Sequence, residues 1–101
     1  MQIDTTHLEV YHNADQHRFE LIIEEHLNMA QYILAGERIV FTHIEVHPTL
    51  EGQGIATLLA HAGLEYAKAN QLKVMPLCPY VAAYIKRHVE YQSLLAAGFH
   101  V

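Results

Sequence analysis

His43, Glu45 and His47 are the residues of this chain best placed to do chemistry together. They alternate along a run rich in Ile, Val, Phe and Thr, so a strand would set all three on one face. Two imidazoles and a carboxylate at that spacing can hold a divalent cation or supply a general base. The plainer alternative is a wet sheet face with solvated histidines. A structural zinc takes four protein ligands and the chain has a single thiol, so no metal site is assigned. Just downstream, Gly52-Gln53-Gly54 opens an apolar run that begins Ile55-Ala56. Strand, Gly-x-Gly turn and helix together make a backbone anion site. Glycine lets a ligand approach the main chain, and the first amides of a helix have no partner within it. A plain tight turn into a helix is the competing reading. No Gly-Lys-Ser/Thr follows, which excludes a P-loop, and Thr57 stands where a dinucleotide fingerprint has Gly or Ala.

Further candidates cluster near Pro79. Cys78 precedes this proline, which favours extended backbone and puts the thiol at the mouth of a helix, where thiolate is favoured. It reads equally as a small buried hydrophobe. Tyr80 and Tyr84 are four apart and share a helical face. Packing is their plain role, and proton donation to a leaving group is their chemical one. Lys86-Arg87-His88 is a basic patch that suits a helix C-terminus.

These residues need elements to position them. Leu8 and Val10 alternate with His7, Glu9 and Tyr11 as a short first strand, closed by a turn at Asn13-Ala14-Asp15. Phe19, Leu21 and Ile23 mark a second strand, with a break at His26-Leu27-Asn28. Ala30, Tyr32 and Leu34 mark a third, and Gly36-Glu37 turns it into a fourth over Arg38 to His47. Short connections favour an antiparallel meander. Ile55, Leu58, Leu59, Ala62 and Tyr66 then fall at helical spacing, with Asn70 as the stop. A short strand over Leu72 to Leu77 follows, and a right-handed crossover makes it parallel to the fourth. Pro79 suits the first position of a second helix. Glu90 to Ala97 could form a last short helix, stopped by Gly98. The fold class is α/β (α+β), with 1–101 as one domain.

The chain has 101 residues, enough for one small core, and a formal net charge of -5. That balance makes a poor general binder of nucleic acid or anionic membrane, and it suits an amine or other cation. Any phosphate is then held locally, mainly by amides. One cysteine agrees with a reducing compartment. Met1-Gln2-Ile3-Asp4 opens with neither a basic nor an apolar segment, and no run reaches membrane-helix length. The expected location is the cytoplasm.

Phe41-Thr42-His43-Ile44-Glu45-Val46, Glu51-Gly52-Gln53-Gly54-Ile55-Ala56 and the run Val74 to Ile85 together resemble the GNAT superfamily of acetyl-CoA-dependent N-acetyltransferases. More narrowly they resemble its minimal single-domain branch, over about Phe19 to Leu95. The resemblance implies that the fourth and fifth strands splay and that the pantetheine arm of acetyl-CoA lies between them, bonded to backbone at Ile44 and Val46. Amides of Gly52, Gln53, Gly54, Ile55 and Ala56 would hold the pyrophosphate. The thioester would reach Cys78, with Tyr84 and Arg87 on the second helix as further contacts. On this reading Glu45, helped by His43 or His47, is the base and Tyr80 or Tyr84 the acid, with acylation of Cys78 as a two-step alternative. Two positions depart from the superfamily pattern, which has Gln or Arg three residues before the first glycine and often a basic residue just before it. Here those residues are Thr49 and Glu51. The expected partner is a small-molecule or peptide amine, and the expected state is a monomer or weak homodimer. Two other functions fit the same residues: a CoA or acyl-CoA binding module without efficient transfer, and a metal-binding protein using His43, Glu45 and His47.

Overall fold

Five strands form one sheet in chain order in the computed structural model, which describes residues 5–101. The opening Met1-Gln2-Ile3-Asp4, which bears on a leader segment, lies outside the described residues. β1 (Tyr11–Asn13), β2 (Arg18–Ile23), β3 (His26–Ala35) and β4 (Arg38–Glu45) form the antiparallel meander that the short connections require. α1 (Ile55–Ala69) crosses over and returns the chain to β5 (Lys73–Pro76), which pairs parallel to β4. α2 (Pro79–Arg87) follows with Pro79 at its first turn.

Several expected boundaries move. β1 begins at Tyr11, and Leu8 and Val10 instead pack half-buried against the core. Asn13 closes β1 and caps a 3-10 turn, its side chain accepting from the Gln16 amide. His26-Leu27-Asn28 is no break but the start of β3. The hairpin turns at Glu24 and Glu25, whose φ values of 51° and 68° give the two-residue mirror-type turn that matches sheet twist. Glutamate carries no strong signal for that geometry, which is why the turn is hidden in the sequence. The last segment is a 3-10 helix, Val89–Leu94, after which Leu95 bridges Val74 of β5.

One core lies between the sheet and the helices. Phe19, Ala30, Tyr32, Phe41 and Ile39 from the strands meet Leu59, Leu64 and Ala67 from α1, and Val81 and Ile85 from α2. Apolar burial on this scale is the main stabilising term. The helix approaches the sheet closely at Gly63, where an added Cβ would lie 2.7 Å from Phe41 Cε1. Tyr91 anchors the last segment by donating to Glu65 Oε2 on α1 at 2.6 Å. Among the described residues no helix is long and apolar enough to cross a membrane.

His12 binds β1 to the rest. Its Nε2 shares a hydrogen bond with the Tyr32 hydroxyl at 2.5 Å, and its ring stacks on Phe19 at 4.3 Å and meets Tyr66 edge-on at 4.5 Å. Burial pushes its pKa down, so the fold favours the neutral ring. The unfolded chain binds this proton near the ordinary value of about 6.5, so His12's stabilising contribution is full above that pH and is lost as pH falls toward the lower folded value. Urea unfolding between pH 7 and pH 5 is expected to show falling stability, and a His12→Phe variant is expected to show a shallower fall.

Candidate active site

The site begins where the parallel ladder stops. β4 and β5 pair from Arg38 with Lys73 to Phe41 with Pro76, and no further. Pro76 has no N–H to donate. The next amide, Leu77, turns back to Met75 O at 3.1 Å, and Cys78 N–H closes the ladder on Phe41 O at 2.9 Å. On the other side of β4 a bulge at Thr42 shifts its register with β3 between Gln31 and Tyr32. Beyond this point β4 leaves β5, and the two strands open.

A cleft of ≈ 320 Å³ lies past the opening, lined by Val46, Leu50, Glu51, Gly52, Gly54, Ile55, Ala56, Thr57 and Tyr80. Gly52 and Gly54 have φ values of 80° and 83°, a region that glycine enters freely. Nothing lies within 4 Å of where their Cβ atoms would be. Gly54 is the N-cap of α1 and offers no side-chain cap, so the first helical amides face the cleft without one. Across the cleft the hydroxyls of Thr57 and Tyr80 meet at 2.8 Å, joining the starts of α1 and α2. None of the lining residues is Lys or Arg, and Glu51 is the one carboxylate.

The bulge decides which way β4 side chains point. Ala30 pairs with Ile44 and Tyr32 with Phe41, so Ile44 stays on the helix side of the sheet. Glu45 pairs with Met29, which pairs with Glu20, and His43 pairs with Gln31, so both face the other side. Their side chains are 59% and 53% exposed, and His43 Nε2 lies 3.7 Å from Glu45 Oε2. His47 leaves this set. Its ring stacks on His26 at 3.6 Å, and its Nδ1 meets Thr49 Oγ1 at 2.8 Å. Among the described residues no three His, Cys, Asp or Glu side chains are grouped to hold a metal ion.

The other candidates divide. Val46, Gly52, Gly54, Ile55, Ala56 and Tyr80 line the cleft, while Gln53 sits in the turn outside the lining set. Cys78 is the N-cap of α2, as its place before Pro79 suggests, but its side chain joins the core and the residue is 5% exposed. Tyr84 is buried and stacked on His88 at 3.9 Å. Burial, then the Glu90 charge, raises its pKa, which makes it a poor proton donor. Arg87 is exposed in the last turn of α2, at the end of the helix away from the cleft.

Sequence reasoning misses Leu50, Thr57 and Asn28. Asn28 is fully buried and holds the loop that carries the cleft. Its Nδ2 donates to Leu21 O and His26 O at 3.1 and 3.2 Å, and its Oδ1 accepts from His47 N–H at 2.8 Å. An asparagine beside a turn looks like a turn former, which conceals this role.

The site is thus a mixed sheet whose parallel pairing stops beside a glycine-built helix start. The profile of the GCN5-related N-acetyl-transferase family matches residues 18–94, and the chain belongs to that family. It is 38% identical over 58 residues to Protein NATD1 of Gallus gallus and of Mus musculus, covering 56% of this chain and 53% of each relative. The human protein of that name gives the same identity, with 51% of its length covered. The chain spans about half the length of the curated relatives it matches. A solution structure described as GCN5-like, from Staphylococcus aureus, superposes with a TM-score of 0.70 at 24% identity, over 94% of both chains.

Asn28→Ala removes a donor and an acceptor from three backbone groups at once. Each unsatisfied buried group costs about 1–3 kcal/mol, so urea unfolding is expected to show a loss of at least about 2 kcal/mol.

Proposed function

We propose that the chain is an N-acetyltransferase that uses acetyl-CoA and a primary amine, carried by a small molecule or a peptide. The observation that supports this best is the opening between β4 and β5, with the glycine cleft on one side of the sheet and Glu45 on the other. The cleft residues fit the cofactor. Open space over Gly52 and Gly54 admits a pyrophosphate against the amides of residues 52 to 56. Backbone at Ile44 and Val46 is left without a β5 partner and can hold the pantetheine arm. When bound, acetyl-CoA supplies an acyl carbon to which the amine nitrogen bonds as the carbon–sulfur bond breaks.

An amine at neutral pH is mostly protonated. Glu45 takes that proton, directly or through a water, with His43 beside it. Backbone N–H groups near Val46 stabilise the carbonyl oxygen as charge develops. Tyr80, whose hydroxyl lies at the cleft, returns a proton to the departing sulfur. The burial of Cys78 favours direct transfer over an acyl-cysteine route. In this reading the protein works in the cytoplasm as a monomer or weak homodimer, without nucleic acid or membrane.

Calorimetric titration with acetyl-CoA tests the proposal. Gly54→Pro removes an amide and imposes a φ near −65°, so affinity is expected to fall about tenfold or more while circular dichroism keeps the parent's helix content. Parent protein that shows no binding heat would sink the reading. Turnover with Cys78→Ala is expected to stay close to the parent's, and loss of nearly all activity would return the covalent route.

A further inference from the structure

The loop that carries β4 into the cleft is held from two sides, and only one of them titrates. Val46 before it and Leu50, Glu51 and Gly52 at its end line the cleft. Between them Pro48–Leu50 is a 3-10 helix whose N-cap is His47. On one side the fully buried Asn28 accepts from the His47 N–H at 2.8 Å, and an amide side chain does not ionise. On the other side the His47 ring is the cap. Thr49 N–H donates to its Nδ1 at 3.2 Å, so that nitrogen presents a lone pair and the neutral ring carries its proton on Nε2. The Thr49 hydroxyl, 2.8 Å from Nδ1, donates to it as well. The ring is half-buried and stacks on His26 at 3.6 Å, with 16° between the planes.

A proton on Nδ1 reverses this contact. The nitrogen becomes a donor facing a donor, Thr49 N–H loses its acceptor, and the turn after β4 loses its cap. A charge on each of two stacked rings also repels at contact. The other ionisable groups on the elements around the ring are Glu24 and Glu25 in the turn before His26, Glu45 with His43 at the end of β4, and Glu51 past the 3-10 helix. These carboxylates are exposed, so solvent and salt screen their pull on an imidazolium, whereas the lost acceptor and the stacked ring act at contact distance. Resting on the acetyl-CoA reading, we infer that His47 is a proton-operated latch on the cofactor loop: neutral, it caps Pro48–Leu50 and holds the cleft in its binding shape, and protonated, it releases Thr49 and the cleft loses affinity for acetyl-CoA. The latched loop holds fewer protons than the released one. Affinity is therefore full where imidazole is neutral and falls as pH drops through the range in which histidine titrates.

The test is calorimetric titration of the full chain with acetyl-CoA at about pH 7.5 and about pH 5.5, with circular dichroism confirming the fold at both. Each protein is compared with itself at the two pH values. The His47→Asn variant keeps a capping oxygen that does not titrate. The 3′-phosphate of the ligand and His12 gain protons in parent and variant alike, so the difference between the two falls isolates the latch. The parent is expected to lose affinity about threefold or more beyond the loss shown by the variant. Parallel falls in the two proteins overturn the inference while leaving the transferase reading intact. Nitrogen NMR of the His47 ring tests the latch without ligand or substitution. At about pH 7.5 the proton is expected on Nε2, and a proton on Nδ1 overturns the inference because Thr49 N–H then has no acceptor there. If the parent binds no acetyl-CoA at the higher pH, the transferase reading falls instead. The latch is then decided by whether the protection of the Thr49 amide from hydrogen exchange drops between the two pH values, and undiminished protection overturns it.

Discussion

The hydrogen bond from Cys78 N–H to Phe41 O, at 2.9 Å, is the last tie between β4 and β5, and the rest of the molecule depends on where it falls. Two residues earlier, at the end of β5, Pro76 has no amide to give, and one residue after Cys78, Pro79 has none either. The chain therefore cannot extend the ladder and must turn into α2. On the other flank of β4 the bulge at Thr42 bends the strand and re-aims its side chains. Together these constraints end the pairing of β4 with β5 at Phe41, while β4 continues to Glu45. Phe41 sits under the gap, held by the close approach of Gly63, so the opening rests on rigid core.

Much of this architecture was legible in the sequence. The change from alternation to helical spacing at Ile55 marks the crossover, the glycine pair marks its first turn, and Pro79 marks the second helix. The hidden parts have physical reasons. A type of turn that favours Asn-Gly is here built from Glu24 and Glu25, whose side chains do not announce it. A bulge leaves no compositional trace, so the facing of His43 and Glu45 away from the helices, and the departure of His47 from their set, could not be read from alternation alone. Asn28 was obscured because its value lies in partners nineteen or fewer residues away, brought near by the fold.

The candidate site is correspondingly uneven. Its cleft half depends on backbone, which sequence describes well through glycine. Its opposite half depends on which side of a strand a side chain faces, and a single inserted residue reverses that. The basic patch at Lys86 and Arg87 follows the ends of the helix dipole and lies away from the cleft, although its composition suggests phosphate.

The chain's last residues have a consequence of their own. After the 3-10 helix, Leu95 lies parallel against Val74, and Ala96 N–H donates to Val74 O at 2.9 Å. Lys73 Nζ reaches Ser93 O at 3.2 Å on the same border. The tail thus acts as a stub of a sixth strand over the outer edge of β5, while the opposite border, β1, is three residues long. Both rims of the sheet are blunted against templating a neighbouring chain. Continuous-sheet pairing is disfavoured along those two stretches.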